Sequence, residues 1–247
     1  MKVYIILLHY GEIENTMRCL YSLYNLEIAD FSASIILVNN SNNQNLGFAG
    51  GMNVGIREAL KDKNCTHVLI LNNDTVLPKD LIIKLLETKK DITSPVIKFK
   101  WSDNWKYDFG GKIDWNIGRT YHLESNNLTS RFNSGRAIDY VSGCCMLVRR
   151  EVFKKIGLLD ESYFFYFEDV DFCVRARKAG YNIGVCADAN IEHKLGGSIG
   201  RWSNKAIFYN LSSNAIFIAK HLGWKRPLGF GYLLLLMGKI LFDKLKI

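Results

Sequence analysis

The chain has 247 residues, 48% apolar and 23% charged, which is the balance of a folded protein with one sizeable core rather than a disordered chain. A formal net charge of +8 points to an anionic partner, and no aromatic-basic nucleic-acid motif accompanies it, so charge alone leaves phosphates, lipids and nucleic acid open. The six cysteines show no paired metal spacing, and several sit among apolar residues where a free thiol packs as a small hydrophobe, which favours a reducing, cytoplasmic setting.

Residues 1–10 carry too short an apolar run for a signal peptide, and residues 3–8 read as a first buried strand. Ile13, Met17, Leu20 and Tyr24 mark one face of the helix that follows. Residues 35–38 give a second strand, residues 48–60 a helix opened by Gly47, Gly50 and Gly51, and residues 67–71 a third strand. Leu81, Leu85 and Leu86 mark another helix, and this alternation predicts a parallel sheet covered by helices. The third strand runs out into Asn72-Asn73-Asp74-Thr75, placing polar groups where open α/β sheets bind ligands. A lone Asp there serves equally well as a turn or capping residue.

After Ser94-Pro95 the pattern changes to short aromatic strands around Asp108, Gly110-Gly111 and Gly118, consistent with a hairpin or a loop-rich insertion. Residues 140–149 return to a buried strand. Residues 160–175 then place Glu168, Asp169 and Asp171 directly after a strongly aromatic run. Carboxylates in such surroundings need compensation, so the trio reads as a base poised for proton abstraction, a site facing a cation, or acids favoured by a helix dipole. The last reading is compatible with the first two, because residues 169–180 have helical character: Val170, Cys173, Val174 and Arg177 share a face, and Gly180 is a plausible C-cap. Asp171 either caps that helix or pairs with Arg175.

His193 is an imidazole suited to a transition metal, or a structural residue, and it leads into Gly196-Gly197-Ser198-Ile199-Gly200, a plain loop or a lid. A helix over 203–221 carries Ile207, Phe208, Leu211, Ala215 and Ile218 on one face and stops at Gly223. Beyond it, Pro227 to Gly238 are uncharged, flanked by Lys225 and Arg226 before and by Lys239, Lys244 and Lys246 after. That run is too short to span a bilayer and suits a segment lying in the interface of an anionic membrane, with a core helix or a dimer contact as the alternatives.

Taken in order, Asn45-Leu46-Gly47-Phe48-Ala49-Gly50-Gly51-Met52-Asn53, Leu71-Asn72-Asn73-Asp74-Thr75, Val141-Ser142-Gly143-Cys144-Cys145-Met146-Leu147-Val148-Arg149-Arg150, Gly157-Leu158-Leu159-Asp160-Glu161, Phe167-Glu168-Asp169-Val170-Asp171 and His193 form one ordered series. The series resembles the family 2 inverting glycosyltransferases, most closely the rhamnosyltransferase-like branch that builds bacterial cell-surface polysaccharides. The resemblance covers nearly the whole chain up to about residue 214. It implies a GT-A nucleotide-diphospho-sugar transferase sandwich: a mostly parallel central sheet with helices on both faces, followed here by a C-terminal helical tail. The expected division is a GT-A domain over 1–222 and a basic, apolar, membrane-associating tail over 223–247.

By the same resemblance, Asp74 is the surviving carboxylate of the metal-binding Asp-X-Asp motif, His193 is a later ligand of the same ion, and the ion is Mn²⁺ or Mg²⁺. Asp169 is the general base and Glu168 stands near the acceptor. The donor site draws on His9, Asn39, Asn45, Gly47, Gly51, Asn53, Asn72 and Asn73. Asn39 stands where the family usually has Asp, Asn72 replaces the first Asp of the metal motif, and only residues 39–46 separate the second strand from Gly47, where relatives commonly add a helix and a strand. The activity implied is transfer of a sugar, L-rhamnose from dTDP-rhamnose in the first instance, to a lipid-linked or growing surface polysaccharide by a cytoplasmic enzyme peripheral to the inner membrane face, without a nucleic-acid partner. The alternatives are another sugar, such as galactofuranose, galactose or N-acetylglucosamine, and a non-catalytic glycan-binding or scaffold subunit.

Overall fold

The computed structural model describes residues 1–41, 45–128, 138–194 and 203–245. The glycine-rich stretch 196–200, Lys246 and part of the 39–46 connection lie outside the described residues.

In chain order the first elements are β1 (Lys2–His9), α1 (Ile13–Tyr24), β2 (Ser32–Asn39), α2 (Gly47–Lys61), β3 (His67–Asn72), β4 (Thr75–Val76) and α3 (Leu81–Glu87). Then come β5 (Ile92–Trp101), β6 (Asn104–Asp114), β7 (Arg119–Ser125), β8 (Cys145–Arg149), α4 (Arg150–Ile156), α5 (Glu168–Lys178) and β9 (Ile183–His193). The helices α6 (Asn204–His221) and α7 (Arg226–Leu245), joined by a short 3₁₀ turn, end the described chain.

The sheet order is β2-β1-β3-β8-β5-β6-β7, with β9 also pairing β5. β1 pairs in parallel with β2 and β3, because α1 and α2 carry the chain back across the sheet between them. β8 runs against both β3 and β5, while β9 is parallel to β5. In the central part of the sheet β1, β2, β3, β5 and β9 therefore share one direction, and their carboxyl ends form one rim.

Both faces of the sheet are covered, which is why the strands read as continuous apolar runs rather than alternating ones. Successive residues of β1 serve opposite cores: Ile6 and Leu8 pack with Met52 of α2, Phe172 of α5 and Phe217 of α6. Val3, Ile5 and Leu7 pack with Cys19 of α1 and with Leu81 and Leu85 of α3. All six cysteines are free and buried.

Several local expectations need correction. The predicted apolar face of α1 is largely its exposed face, with Ile13, Met17 and Tyr24 open to solvent. Thr16, Cys19 and Leu23 are buried instead, because Thr16 is drawn inward by hydrogen-bonding partners at the rim. In α6, Phe208 is exposed, and Phe217 and Ile218 form the buried face. Only the second half of 140–149 is a strand. β5 continues through Pro95 because its pairing with β9 shifts register between Pro95 and Val96, a bulge that accommodates the missing N–H.

The α7 helix lies along α6. Leu233 is buried in the core, and Gly229 passes so close that a Cβ there would meet Ile218 at 2.8 Å. Its other side presents Leu228, Leu234, Leu235, Leu241 and Phe242 to solvent. No described helix is long and apolar enough to cross a membrane.

Candidate active site

The rim is polar because β1, β2 and β3 run out into polar side chains that bond nearby groups. His9 Nδ1 lies 2.7 Å from Thr16 Oγ1. Asn73 donates to the Tyr10 carbonyl at 3.1 Å and to Thr16 at 2.8 Å. Asn39, at the end of β2, accepts from the Ser41 N–H at 3.0 Å.

Gly47 opens α2 at φ +71°, and a Cβ there would fall 2.3 Å from the Phe164 carbonyl, so only glycine permits this docking. Through it Phe48 N–H bonds the Phe164 carbonyl at 2.9 Å, tying α2 to the aromatic run ahead of α5. Asn45, Gly47, Asn72 and Asn73 line a small cavity of about 50 Å³ together with Asn40, Phe164 and Phe165.

Asn40 was not singled out from the sequence. It is buried, and it donates to Gly47 O at 2.9 Å while accepting from Leu46 N–H at 3.0 Å, so it shapes the loop. Gly51 lets α2 approach β1, since a Cβ would meet Leu8 at 2.6 Å. Asn53 does not join the others: it is buried and bonds Leu159 and Glu161, fastening α2 to the 159–161 segment. Arg149 pairs with Asp91, and Arg150 bonds the carbonyls of Leu60 and Cys65, so both arginines are structural.

Asp74 turns the chain from β3 into β4, and β4 pairs with β9 so that Thr75 stands opposite His193. This register brings His193 Nε2 to 3.1 Å from Asp74 Oδ1. Although both side chains are nearly buried, that oxygen makes no hydrogen bond among the described residues. A buried carboxylate oxygen with unused lone pairs beside an imidazole nitrogen suits a divalent cation, and Asp74 and His193 are the residues that would hold it. No group of three or more His, Cys, Asp or Glu suited to a metal occurs among the described residues, so substrate oxygens or water would complete the shell. A cleft of about 340 Å³ opens beside this pair, lined also by Arg18, Lys100, Trp105 and Lys194.

The acidic trio sits at the start of α5, where the helix dipole favours negative charge. Tyr166 and Phe167, just before it, are both held at φ +69°, a left-handed conformation that aromatic residues rarely adopt and that the packing of Phe167 against Phe217 sustains. Asp169 Oδ2 accepts from the Gly143 N–H at 2.8 Å and Oδ1 from the Val170 N–H at 2.8 Å. Gly143 eases this approach, because a Cβ there would make a tight 3.1 Å contact with that of Asp169.

Burial raises the Asp169 carboxyl, and the two backbone bonds and His122 oppose the rise. Glu168 is pushed well above the ordinary carboxylate range by burial and by the Asp169 charge, and its Oε2 has no hydrogen-bond partner among the described residues. Both carboxyls are raised, Glu168 the more strongly, so of the two Asp169 is the one that gives up its proton more readily.

Asp171 belongs elsewhere. It is 1% exposed and bonds Arg175 Nε at 2.6 Å and His221 Nε2 at 2.7 Å, joining α5 to α6. Burial alone would raise it, but His221 and Arg175 outweigh burial and hold it below the usual range.

Asp74, Asp108 and Asp169 all lie within electrostatic reach of Cys144. Burial raises the Cys144 thiol, and the charges of Asp74, Asp108 and Asp169 all push it further. Asp108 and its partner His122 are members of this neighbourhood that sequence reasoning left in a hairpin; the signal that could have found them is the Asp-Phe-Gly-Gly turn facing a histidine across the strand pair.

A sequence profile described as "Glycosyltransferase like family 2" matches residues 26–205, well over half of the chain. A low-salt glycan biosynthesis hexosyltransferase, Agl10, of Haloferax volcanii is 33% identical over 153 residues, 60% of this chain and 49% of the relative. An N-acetylglucosaminyl-diphospho-decaprenol L-rhamnosyltransferase of Mycobacterium tuberculosis is 39% identical over 94 residues, 38% of this chain and 31% of the relative. The chain thus spans half or less of the length of these two relatives. Among solved structures, GalNAc-T7 with UDP, GalNAc and Mn²⁺ superposes with a TM-score of 0.65 at 14% identity, covering 89% of this chain and 48% of that one. The likeness of fold establishes the GT-A architecture, and the profile match establishes that this chain belongs to glycosyltransferase family 2, among relatives named as hexosyl- and rhamnosyltransferases.

Proposed function

We propose that this protein is an inverting glycosyltransferase that moves a sugar, L-rhamnose from dTDP-rhamnose in the first instance, onto a lipid-linked or growing surface glycan, with Asp169 as general base. The observation that carries the reading is Asp169 itself: a carboxyl fixed by the Gly143 N–H at the strand rim, in the same neighbourhood as the Asp74–His193 pair.

In the reaction the acceptor hydroxyl oxygen bonds to the anomeric carbon from the face opposite the diphosphate. The carbon–oxygen bond to the diphosphate breaks, and the hydroxyl proton passes to Asp169. A divalent cation held by Asp74 and His193 would supply charge neutralisation to the departing diphosphate. Asn45, Gly47, Asn72 and Asn73 bind the donor through amides and backbone, and the protonated Glu168 is able to donate a hydrogen bond to the acceptor. The mycobacterial relative's name supports a diphospholipid acceptor, and the Mn²⁺ in the GalNAc-T7 structure supports a divalent ion.

The exposed Leu234, Leu235, Leu241 and Phe242 of α7, with Lys225, Arg226, Lys239 and Lys244, suit an anionic bilayer surface, so the enzyme works as a peripheral protein on the cytoplasmic face.

Calorimetric titration with dTDP and UDP, each with and without Mn²⁺, tests the donor site. Metal-dependent binding of dTDP is the expected result and leads to a panel of donor sugars. Absence of binding to a folded protein under every condition would favour a glycan-binding scaffold instead.

A further inference from the structure

The Asp108–His122 pair has no part in the reaction as written above, yet it is built with care. Asp108 is 6% exposed in β6; its Oδ2 lies 2.8 Å from His122 Nδ1, and its Oδ1 accepts from the Gly110 N–H at 2.9 Å. A bulge creates this arrangement. The β6–β7 register shifts between Asp108 and Gly111, Gly110 takes φ +89°, and a Cβ on Gly111 would lie 2.0 Å from the Tyr140 ring. Bulges of this kind re-aim a side chain beside a site.

His122, opposite Gly111 on β7, lands edge-on against Tyr140 with ring centroids 5.5 Å apart. Gly111 N–H bonds the Tyr140 carbonyl at 2.9 Å, and three residues later Gly143 holds the base. Imidazole and base thus pack on one short stretch, 140–143, and each feels the other's charge.

The charged groups facing His122 are Asp108 on β6, Glu124 on β7 and Asp169 on α5. Those facing Asp169 are His122 and Glu168. His122 keeps 45% of its side chain open to solvent, so desolvation, which lowers the imidazole, is partial. The Asp108 hydrogen bond and the surrounding negative charge outweigh it and raise the imidazole to about 8, so the ring is largely cationic at neutral pH. Asp169 needs such a neighbour, because burial works against its ionised form.

We propose that His122, locked by Asp108, is a positioning residue for the reaction: it presents a fixed positive charge that keeps Asp169 ionised to take the acceptor's proton. The inference rests on the assignment of Asp169 as the base, and its first test is independent of turnover. The imidazole titrations of the five histidines are followed by NMR, with His122 assigned through His122→Gln. In the wild-type protein His122 titrates near pH 8; in Asp169→Asn and in Asp108→Asn its midpoint moves to lower pH. A midpoint that ignores Asp169→Asn overturns the proposal, even for a protein that turns over no donor.

The second test is the pH profile of kcat/KM with the accepted donor. His122→Gln moves the acidic limb to higher pH, with a rate loss at pH 6 about three times that at pH 8.5, and His122→Lys restores the limb. A uniform loss across pH, or a lowered Tm with an unchanged profile, shows a purely structural residue and overturns the proposal.

Discussion

Asp74 with His193 and Glu168 with Asp169 are two buried polar pairs at the same rim, but the chain completes them to different degrees. Asp74 Oδ1 has an imidazole at 3.1 Å and no hydrogen bond, so the pair keeps capacity for a ligand. Asp169 has both carboxylate oxygens occupied by backbone N–H groups and a cationic ring nearby. The first corner is suited to binding and the second to holding one protonation state, which is the division of labour that displacement from a diphosphate requires.

The strongest way to break this comparison is Asp169→Asn. The amide keeps an acceptor for the Gly143 N–H but cannot take a proton, so kcat is expected to fall by about 10²–10⁴-fold while Mn²⁺-dependent nucleotide binding stays intact. Steady-state kinetics with the same calorimetric titration check both halves, and full turnover would remove Asp169 from the mechanism.

Next in size is Asp171→Asn, which sharpens the contrast with a third acid of the same helix. It leaves Arg175 and His221 without their shared carboxylate, so stability is expected to drop by about 3 kcal/mol in urea denaturation. Asp74→Ala acts in the opposite sense: it removes an unsatisfied oxygen, so the protein without metal melts unchanged or slightly higher. Its nucleotide affinity in Mn²⁺ is expected to fall by about tenfold or more.

The smallest effect is the acid response. Asp160 is lowered to about 2: burial opposes the shift, but Lys220 and Ser162 outweigh it, and Asp171 is likewise held low. Both groups have folded values below their unfolded ones, so their contribution is complete above about pH 4 and is lost as pH falls through the folded values, about 2 for Asp160. Melting curves from pH 5 downward should show this decline, and the Lys220→Met variant should show less of it.

Much of the β1 to α3 half is legible in the sequence because it is assembled locally. Each βα unit carries its strand, its rim residue and its helix within a short stretch, and glycines such as Gly47 announce a backbone that no other residue could adopt. Even there, packing overrode pattern: α1 turned its more polar face inward because Thr16 is bonded by His9 and Asn73, and Asn53 was claimed by Leu159 and Glu161. The base side was less legible. The Asp171–Arg175 pairing is readable as an i,i+4 contact on one helix, but the other differences among Glu168, Asp169 and Asp171 depend on Gly143 and His221, which only the fold brings there.

What the sequence by itself determined is the succession of strands and helices, the polar strand ends and the ordered motifs that mark the family, since these follow from local periodicity and from residue types whose conformational limits are intrinsic. Only the tertiary structure decided which acid is held by Gly143 and which by His221, that Asp74 meets His193 through the β4–β9 register, and that a bulge aims Asp108 at His122. These depend on contacts between residues far apart in the chain and on burial, and both burial and charge proximity are properties of the packed molecule that no single residue carries with it.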